Sequence, residues 1–176
     1  VDNHMVAALS GHELQDTYRM LRTRIMKEMK ANGWRMILVT APHQGAGKST
    51  TAVNLAIAMS MDINNTVLLV DADLREPSIH KYFGVEPETG FSDYLNDGAA
   101  IEDMLFHPNS IDRLVVLPGK DRIENSAEML GSPRAAHIAE ELKNRYDDRI
   151  IIVDGPPVLS SDDVVVTDTY IDAVLL

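Results

Sequence analysis

Thr40-Ala41-Pro42-His43-Gln44-Gly45-Ala46-Gly47-Lys48-Ser49-Thr50 is the stretch whose reading decides the fold. The apolar run Met36-Ile37-Leu38-Val39 precedes it and reads as a strand buried on both faces, as in a parallel sheet. Residues 51–59, Thr-Ala-Val-Asn-Leu-Ala-Ile-Ala-Met, follow with helical spacing. Strand, glycine-bearing turn, Gly-Lys-Ser and helix are the parts of a phosphate-binding loop. Glycine lets the backbone curl so that successive N–H groups point inward, and the helix N-terminus adds its positive dipole end. Lys48 is then placed to reach outer phosphates, and the Ser49 hydroxyl to ligate magnesium. Gln44, Gly45, Ala46, Gly47, Lys48, Ser49 and Thr50 are the candidate nucleotide-contacting residues. Pro42 stands where the first glycine of such loops usually sits. The competing reading is an ordinary glycine-containing turn from strand to helix.

Working outward, Val67-Leu68-Leu69-Val70 is a second buried run and ends on Asp71-Ala72-Asp73-Leu74-Arg75-Glu76-Pro77. Carboxylates at the C-terminal end of a parallel strand lie where open α/β sheets bind ligands. If strand geometry persists, Asp71 and Asp73 project on the same side. Neighbouring carboxylates repel and commonly share a metal or a proton. Turn and cap chemistry is the alternative, since Asp is frequent in both. Arg149-Ile150-Ile151-Ile152-Val153-Asp154 repeats the pattern of a hydrophobic strand closed by Asp, and Gly155-Pro156-Pro157 turns the chain after it. Behind a phosphate-binding loop this is the Walker B order, whose Asp holds magnesium directly or through water.

The remaining elements complete an alternation of strands and helices. A first helix is expected from about Ser10 to Asn32, with Leu14, Tyr18, Leu21, Ile25 and Met29 on one apolar face, Ser10 as its cap and Asn32-Gly33 as its stop. Its other face carries Asp16, Arg19, Arg22, Arg24 and Lys27, which by themselves read as a solvated surface. Short helices are expected over 92–96 and 100–106, a strand over 114–117 stopped by Pro118-Gly119, and a helix starting at Ser132-Pro133. Ala135, Ile138, Ala139, Leu142 and Tyr146 form that helix's buried stripe; His137 beside it reads as structural. Helix over 162–170 and strand from Ala173 close the chain. The fold class is α/β, a doubly wound, mainly parallel sheet.

Composition sets outer bounds. A length of 176 residues with 45% hydrophobic and 24% charged residues suits one globular domain with a substantial core. Sixteen Lys+Arg against 27 Asp+Glu give a formal charge of −11, which argues against nucleic acid as a partner. The absence of cysteine excludes disulfides and Cys-based zinc sites. No run is long and apolar enough to span a bilayer and no signal peptide is evident, so the cytosol is the expected compartment. Val1-Asp2-Asn3-His4 reads as a cloning remnant. The chain closes within an apolar run, so a further C-terminal part of the domain is expected.

In combination, Gln44–Ser49, Val67–Pro77 and Ile151–Pro157 resemble bacterial tyrosine kinases of exopolysaccharide and capsule synthesis, P-loop proteins related to MinD and ParA ATPases. The segment Asn125-Ser126-Ala127-Glu128-Met129-Leu130-Gly131-Ser132-Pro133-Arg134 resembles the family's stretch between its Walker A′ and Walker B strands, and the likeness covers nearly all of residues 11–176. Asp-Ala-Asp-Leu-Arg is its most specific part.

The resemblance implies ATP and ADP as ligands with Mg2+, and transfer of phosphate to tyrosine. Lys48 would contact the β- and γ-phosphates. Ser49, Asp71, Asp73 and Asp154 would form the metal site, with Lys48, Asp71 and Asp73 catalytic. It also implies a domain layout: residues 5–33 as a helix with a self-association motif, and 34–176 as the kinase domain. The family's Glu-x-x-Arg-x-x-Arg ring-assembly motif falls on Asp16, Arg19 and Arg22, with Asp in place of Glu. Expected partners are further copies in a ring, the cytoplasmic tail of a membrane polysaccharide co-polymerase, and protein tyrosines, with the domain at the inner face of the membrane. Ser78 stands where fused family members carry an internal tyrosine, and no C-terminal tyrosine cluster is present. The alternatives are a MinD/ParA-type regulatory ATPase, whose signature lysine is His43 here, and a nucleotide-binding scaffold without kinase activity.

Overall fold

Four apolar runs too hydrophobic to face water on either side must be buried twice over, and the chain achieves this with helices on both faces of one sheet. In the computed structural model, which describes residues 5, 13–159 and 162–176, five parallel strands run in the order β3-β2-β4-β1-β5. They are β1 (Met36–Val39), β2 (Thr66–Asp71), β3 (Leu114–Leu117), β4 (Arg149–Asp154) and β5 (Ala173–Leu175). The helices are α1 (Glu13–Asn32), α2 (Lys48–Ser60), α3 (Ile79–Tyr82), α4 (Phe91–Asp97), α5 (Ile101–Met104), α6 (Ser126–Leu130), α7 (Pro133–Asn144) and α8 (Asp163–Val166).

The side-chain period of two divides each strand between two cores. Ile37, Val39, Val67, Leu69, Leu114, Val116, Ile150 and Ile152 face α2, with Tyr18, Leu21 and Ile25 of α1 packed alongside. Met36, Leu38, Leu68, Val70, Val115, Leu117, Ile151 and Val153 face the side chains of α4, α5 and α7. Helix α2 is buried from Ala52 through Ser60, consistent with its central place. Ser132 caps α7 by accepting the Ala135 N–H at 3.2 Å, as its Ser-Pro start implies.

Four local expectations are corrected. The stretch from 162 to 170 holds only α8, followed by turns to Asp172. Helix α5 stops at Met104, because Phe106 leaves it to form an antiparallel bridge with Val116. Tyr146 lies beyond α7 and is exposed, its ring under the Arg149 guanidinium at 4.2 Å; His137 is exposed as well. Leu14 is the exposed end of the α1 stripe, 49% accessible, while Met29 at the other end is 4%. The expected Ser10 cap and residues 1–4 lie outside the described residues. Among the described residues no helix is long and apolar enough to cross a membrane.

Candidate active site

Strand register assembles the site. β4 lies between β1 and β2, pairing Val39 with Asp154 on one side and Asp71 with Asp154 on the other. Asp71 and Asp154 therefore end adjacent strands at the same level, and the loop after β1 leaves the sheet beside them. Both continue the residue parity that faces α2. Glycine is required at two points in the loop: Gly45 and Gly47 have φ of +77° and +90°, in the left-handed region. Gly47 is the N-cap of α2 and offers no side-chain acceptor, so the first N–H groups of the helix stay available to a ligand.

Lys48 opens α2 and turns inward, with 6% of its surface accessible. Its Nζ lies 2.5 Å from the Asp73 carboxylate, 3.8 Å from Asp154 and 3.2 Å from the Ser49 hydroxyl. Burial works against its charge, but Asp154, Asp73 and Asp71 together hold its pKa above the usual lysine value. Asp71 is held differently from its sequence neighbour. One oxygen accepts the N–H groups of Ser78 (2.9 Å) and Ile79 (3.0 Å), while the other is buried with no donor among the described residues. Both oxygens of Asp154 are buried as well, and among the described residues Lys48 and Ser49 act to favour its charged form. Burial, opposed by the Ile79 and Ser78 amides, pushes the Asp71 pKa up to about 6. Burial, opposed by Lys48, pushes Asp154 up to about 8.

Of the residues picked out in the sequence, Lys48, Ser49, Asp73 and Asp154 are brought into direct proximity, and Asp71 joins them through register. Gln44 hydrogen-bonds Glu76 across the site, tying the loop to the turn after β2. Gly45 and Ala46 are exposed. The Thr50 hydroxyl faces away, 2.8 Å from the Tyr82 hydroxyl. The α1 residues lie elsewhere. Asp16 and Arg19 form an exposed pair at 3.5 Å. Arg22, expected on the outward face with Arg19, instead donates to the Ala58 carbonyl at 3.0 Å near the C-terminal end of α2, because that end leaves carbonyls without partners.

Sequence reasoning missed the contributors that act through backbone or close approach. Gly119 reads as a strand stop, yet a Cβ there would lie 2.9 Å from Pro77 Cβ and 3.3 Å from Asp71 Cγ. A Cβ on Gly155 would lie 2.5 Å from Leu38 Cδ1, so a larger residue in the turn after Asp154 would have to displace that side chain of β1. Neither has a local signature beyond the Gly-Pro turn itself. The Arg75 of the Asp-Ala-Asp-Leu-Arg motif is legible, but its partner Asp163 is not: the guanidinium reaches that carboxylate at 3.2 and 3.3 Å.

A glycine-bearing loop feeding an uncapped helix, a buried lysine and carboxylates at adjacent strand ends define a P-loop nucleotide-binding α/β domain. The comparisons with known proteins place it further. Residues 34–171 match the family model described as AAA domain, and the chain belongs to that family. It is 32% identical over 161 residues to tyrosine-protein kinase YwqD of Bacillus subtilis, covering 92% of this chain and 66% of that protein. Its fold matches the kinase domain of Escherichia coli tyrosine kinase ETK with a TM-score of 0.88 at 26% identity, over 98% of this chain and 66% of the other. The cell division ATPase MinD of Pyrococcus furiosus matches with a TM-score of 0.67 at 28% identity, over 81% of this chain and 58% of the other. The expected likeness to bacterial tyrosine kinase domains, with a more distant relation to MinD, is borne out. The chain spans about a fifth of the length of three other curated relatives that it matches.

Proposed function

We propose that this chain is the ATP-binding, phosphoryl-transferring domain of a bacterial protein-tyrosine autokinase acting in exopolysaccharide or capsule synthesis. The observation that carries the reading is Lys48 buried among Asp71, Asp73 and Asp154 at the mouth of the loop. Buried carboxylate oxygens without donors cost free energy in the free protein. A magnesium ion with a nucleotide would satisfy them, and the donor set suits it: a hydroxyl from Ser49 and oxygens from Asp71, Asp73 and Asp154. When bound, the ion would supply positive charge against the phosphates.

The chain's own residues do the rest. Amides at the start of α2 receive phosphate oxygens, and Lys48 exchanges carboxylate for phosphate partners as nucleotide enters. A tyrosine hydroxyl has a pKa near ~10, so an acceptor for its proton helps the attack of its oxygen on the γ-phosphorus. Asp71, raised to about 6 by burial, is matched to that task. The hydroxyl oxygen bonds to phosphorus, the bond to the β-phosphate oxygen breaks, and ADP leaves.

The other readings concern the setting. The acceptor is a tyrosine on a neighbouring copy, in a ring assembled with help from Asp16, Arg19 and Arg22, with the cytoplasmic tail of a membrane co-polymerase as activator. This places the domain at the inner face of the membrane. Support comes from the likeness to YwqD and ETK, both tyrosine kinases by name. A MinD-type regulatory ATPase is the second reading, favoured by the fold match to MinD and opposed by His43 at the signature-lysine position. Phosphotyrosine formation by the full-length protein with ATP, magnesium and its membrane partner decides between them: ATP hydrolysis with no phosphotyrosine supports the ATPase.

A further inference from the structure

The network that joins half-exposed Arg75 to buried Asp163 and Ser126 is not used by the mechanism above. Asp163 on α8 is fully buried and spends both oxygens on it. Oδ1 accepts Arg75 Nη2 at 3.2 Å, and Oδ2 accepts Arg75 Nε at 3.3 Å and the Ser126 hydroxyl at 2.5 Å. Ser126, on α6, is itself fully buried. Three segments remote in sequence thus meet: the turn after β2, the Asn125–Arg134 stretch, and the chain beyond β4. A forked guanidinium–carboxylate pair fixes orientation as well as distance. A fully buried carboxylate is retained at a desolvation cost that an apolar residue would avoid.

What it orients is the turn that carries Asp73. Arg75 stands between Asp73, which holds Lys48 at 2.5 Å, and Glu76, whose carboxylate meets Gln44 of the phosphate loop. Asp73 in turn receives the Glu76 N–H, at 3.3 Å to its carboxylate and 3.1 Å to its carbonyl. Leu74 is fixed on the far side by the Ile123 N–H, 2.7 Å from its carbonyl. One flank of the turn therefore rests on the phosphate loop and the other on the Arg75–Asp163 fork.

We propose that Asp163, oriented by Ser126, is a positioning residue that acts through Arg75 to hold the Asp73 turn in register with Lys48 during phosphoryl transfer. The proposal rests on the phosphoryl-transfer reading. A distortion of about 1 Å at a reacting group is enough to cost roughly 100-fold in rate.

The test uses the full-length protein with Mg·ATP and its tyrosine substrate. Asp163→Asn keeps the shape and removes the charge; it should lower kcat by at least ~10-fold while KM for ATP stays within about 2-fold. Arg75→Ala should do the same. The double variant should be no slower than the slower single one, because both act through one contact. Ser126→Ala, which leaves the fork intact, should lower kcat by about 2- to 5-fold and serves if Asp163→Asn does not fold. Hydrogen exchange supplies a readout that needs no catalysis: amides of residues 73–76 should exchange faster in Asp163→Asn while those of α2 and β4 do not. If wild type transfers no phosphate, the phosphoryl-transfer reading fails, and the exchange pattern still decides whether the network holds the turn. Unchanged kcat in Asp163→Asn, losses that multiply in the double variant, or exchange in 73–76 equal to wild type overturns the proposal.

Discussion

Asp154 and Asp172 sit at opposite ends of the same sheet and are treated in opposite ways. Asp172 leads into β5 and is fully employed: one oxygen accepts the N–H groups of Arg35 and Met36 at 2.8 Å each, the other the Lys143 ammonium at 2.6 Å. Burial works to raise its pKa, but the Lys143 bond and those amides hold it below the usual Asp value. Asp154 is fully buried with the Lys48 ammonium 3.8 Å away, and its pKa is raised to about 8, burial outweighing the nearby Lys48 and Ser49. The first carboxylate is a fastener joining α7, β1 and β5. The second is buried beside Lys48 without such a set of partners, and burial favours its protonated form. The contrast separates a carboxylate that the fold satisfies from one that the fold leaves short of partners.

The severest way to break the contrast is to remove the cation the site already has. Lys48→Met should abolish phosphotyrosine formation, a loss of at least ~1000-fold, since charge stabilisation at the transferred group is the main catalytic device. Calorimetric titration with Mg·ATP and a phosphorylation assay check it; full activity would refute the kinase reading.

Asp71→Asn comes next. It keeps the acceptor for the Ser78 and Ile79 amides but loses the proton acceptor. Nucleotide should still bind while tyrosine phosphorylation falls at least ~100-fold. Untouched phosphorylation would make Asp71 a fastener like Asp172.

Stability against pH sharpens the contrast directly. The folded pKa of Asp172 is depressed, so its stabilisation is present above the unfolded value of 3.8 and is lost as pH falls through the folded one. Asp172→Asn should cost ~1–3 kcal/mol at pH 7 and weaken that acid dependence. Asp154 and Asp71 have raised folded pKa values, so between 3.8 and about 8 or 6 the native state binds the extra proton. Stability of the ligand-free protein should therefore fall as pH rises from 4 to 8, by more than ~1 kcal/mol for Asp154. Asp154→Asn should flatten that slope. Urea denaturation across pH without magnesium measures both; parallel profiles in the two variants would erase the distinction.

The smallest effects belong to α1. Arg19→Ala should change stability by under ~0.5 kcal/mol, because its pair with Asp16 is exposed. Arg22→Ala should cost ~1 kcal/mol through the lost bond to the Ala58 carbonyl. If the ring reading holds, light scattering on the full-length protein shows the double variant losing large, salt-sensitive oligomers while still binding ATP. Assembly like wild type would leave Arg19 a solvated charge and Arg22 a cap on α2.

The sequence by itself determined what depends on neighbours along the chain. The apolar runs 36–39, 67–70, 114–117 and 150–153 are strands because nothing else buries such short hydrophobic stretches between turn residues. The loop from Gln44 to Ser49 and the Asp closing β2 and β4 were legible because a strand end, a left-handed glycine and a helix start are local events. Tertiary structure alone decided that β4 enters between β1 and β2. That order sets Asp154 beside Asp71, which is 83 positions earlier, and aims both at Lys48. It also turned Arg22 inward, shortened α8, and joined Arg75 to Asp163. Pairing order and buried polar contacts come from closing the whole core at once, and the period of a single segment carries no record of them.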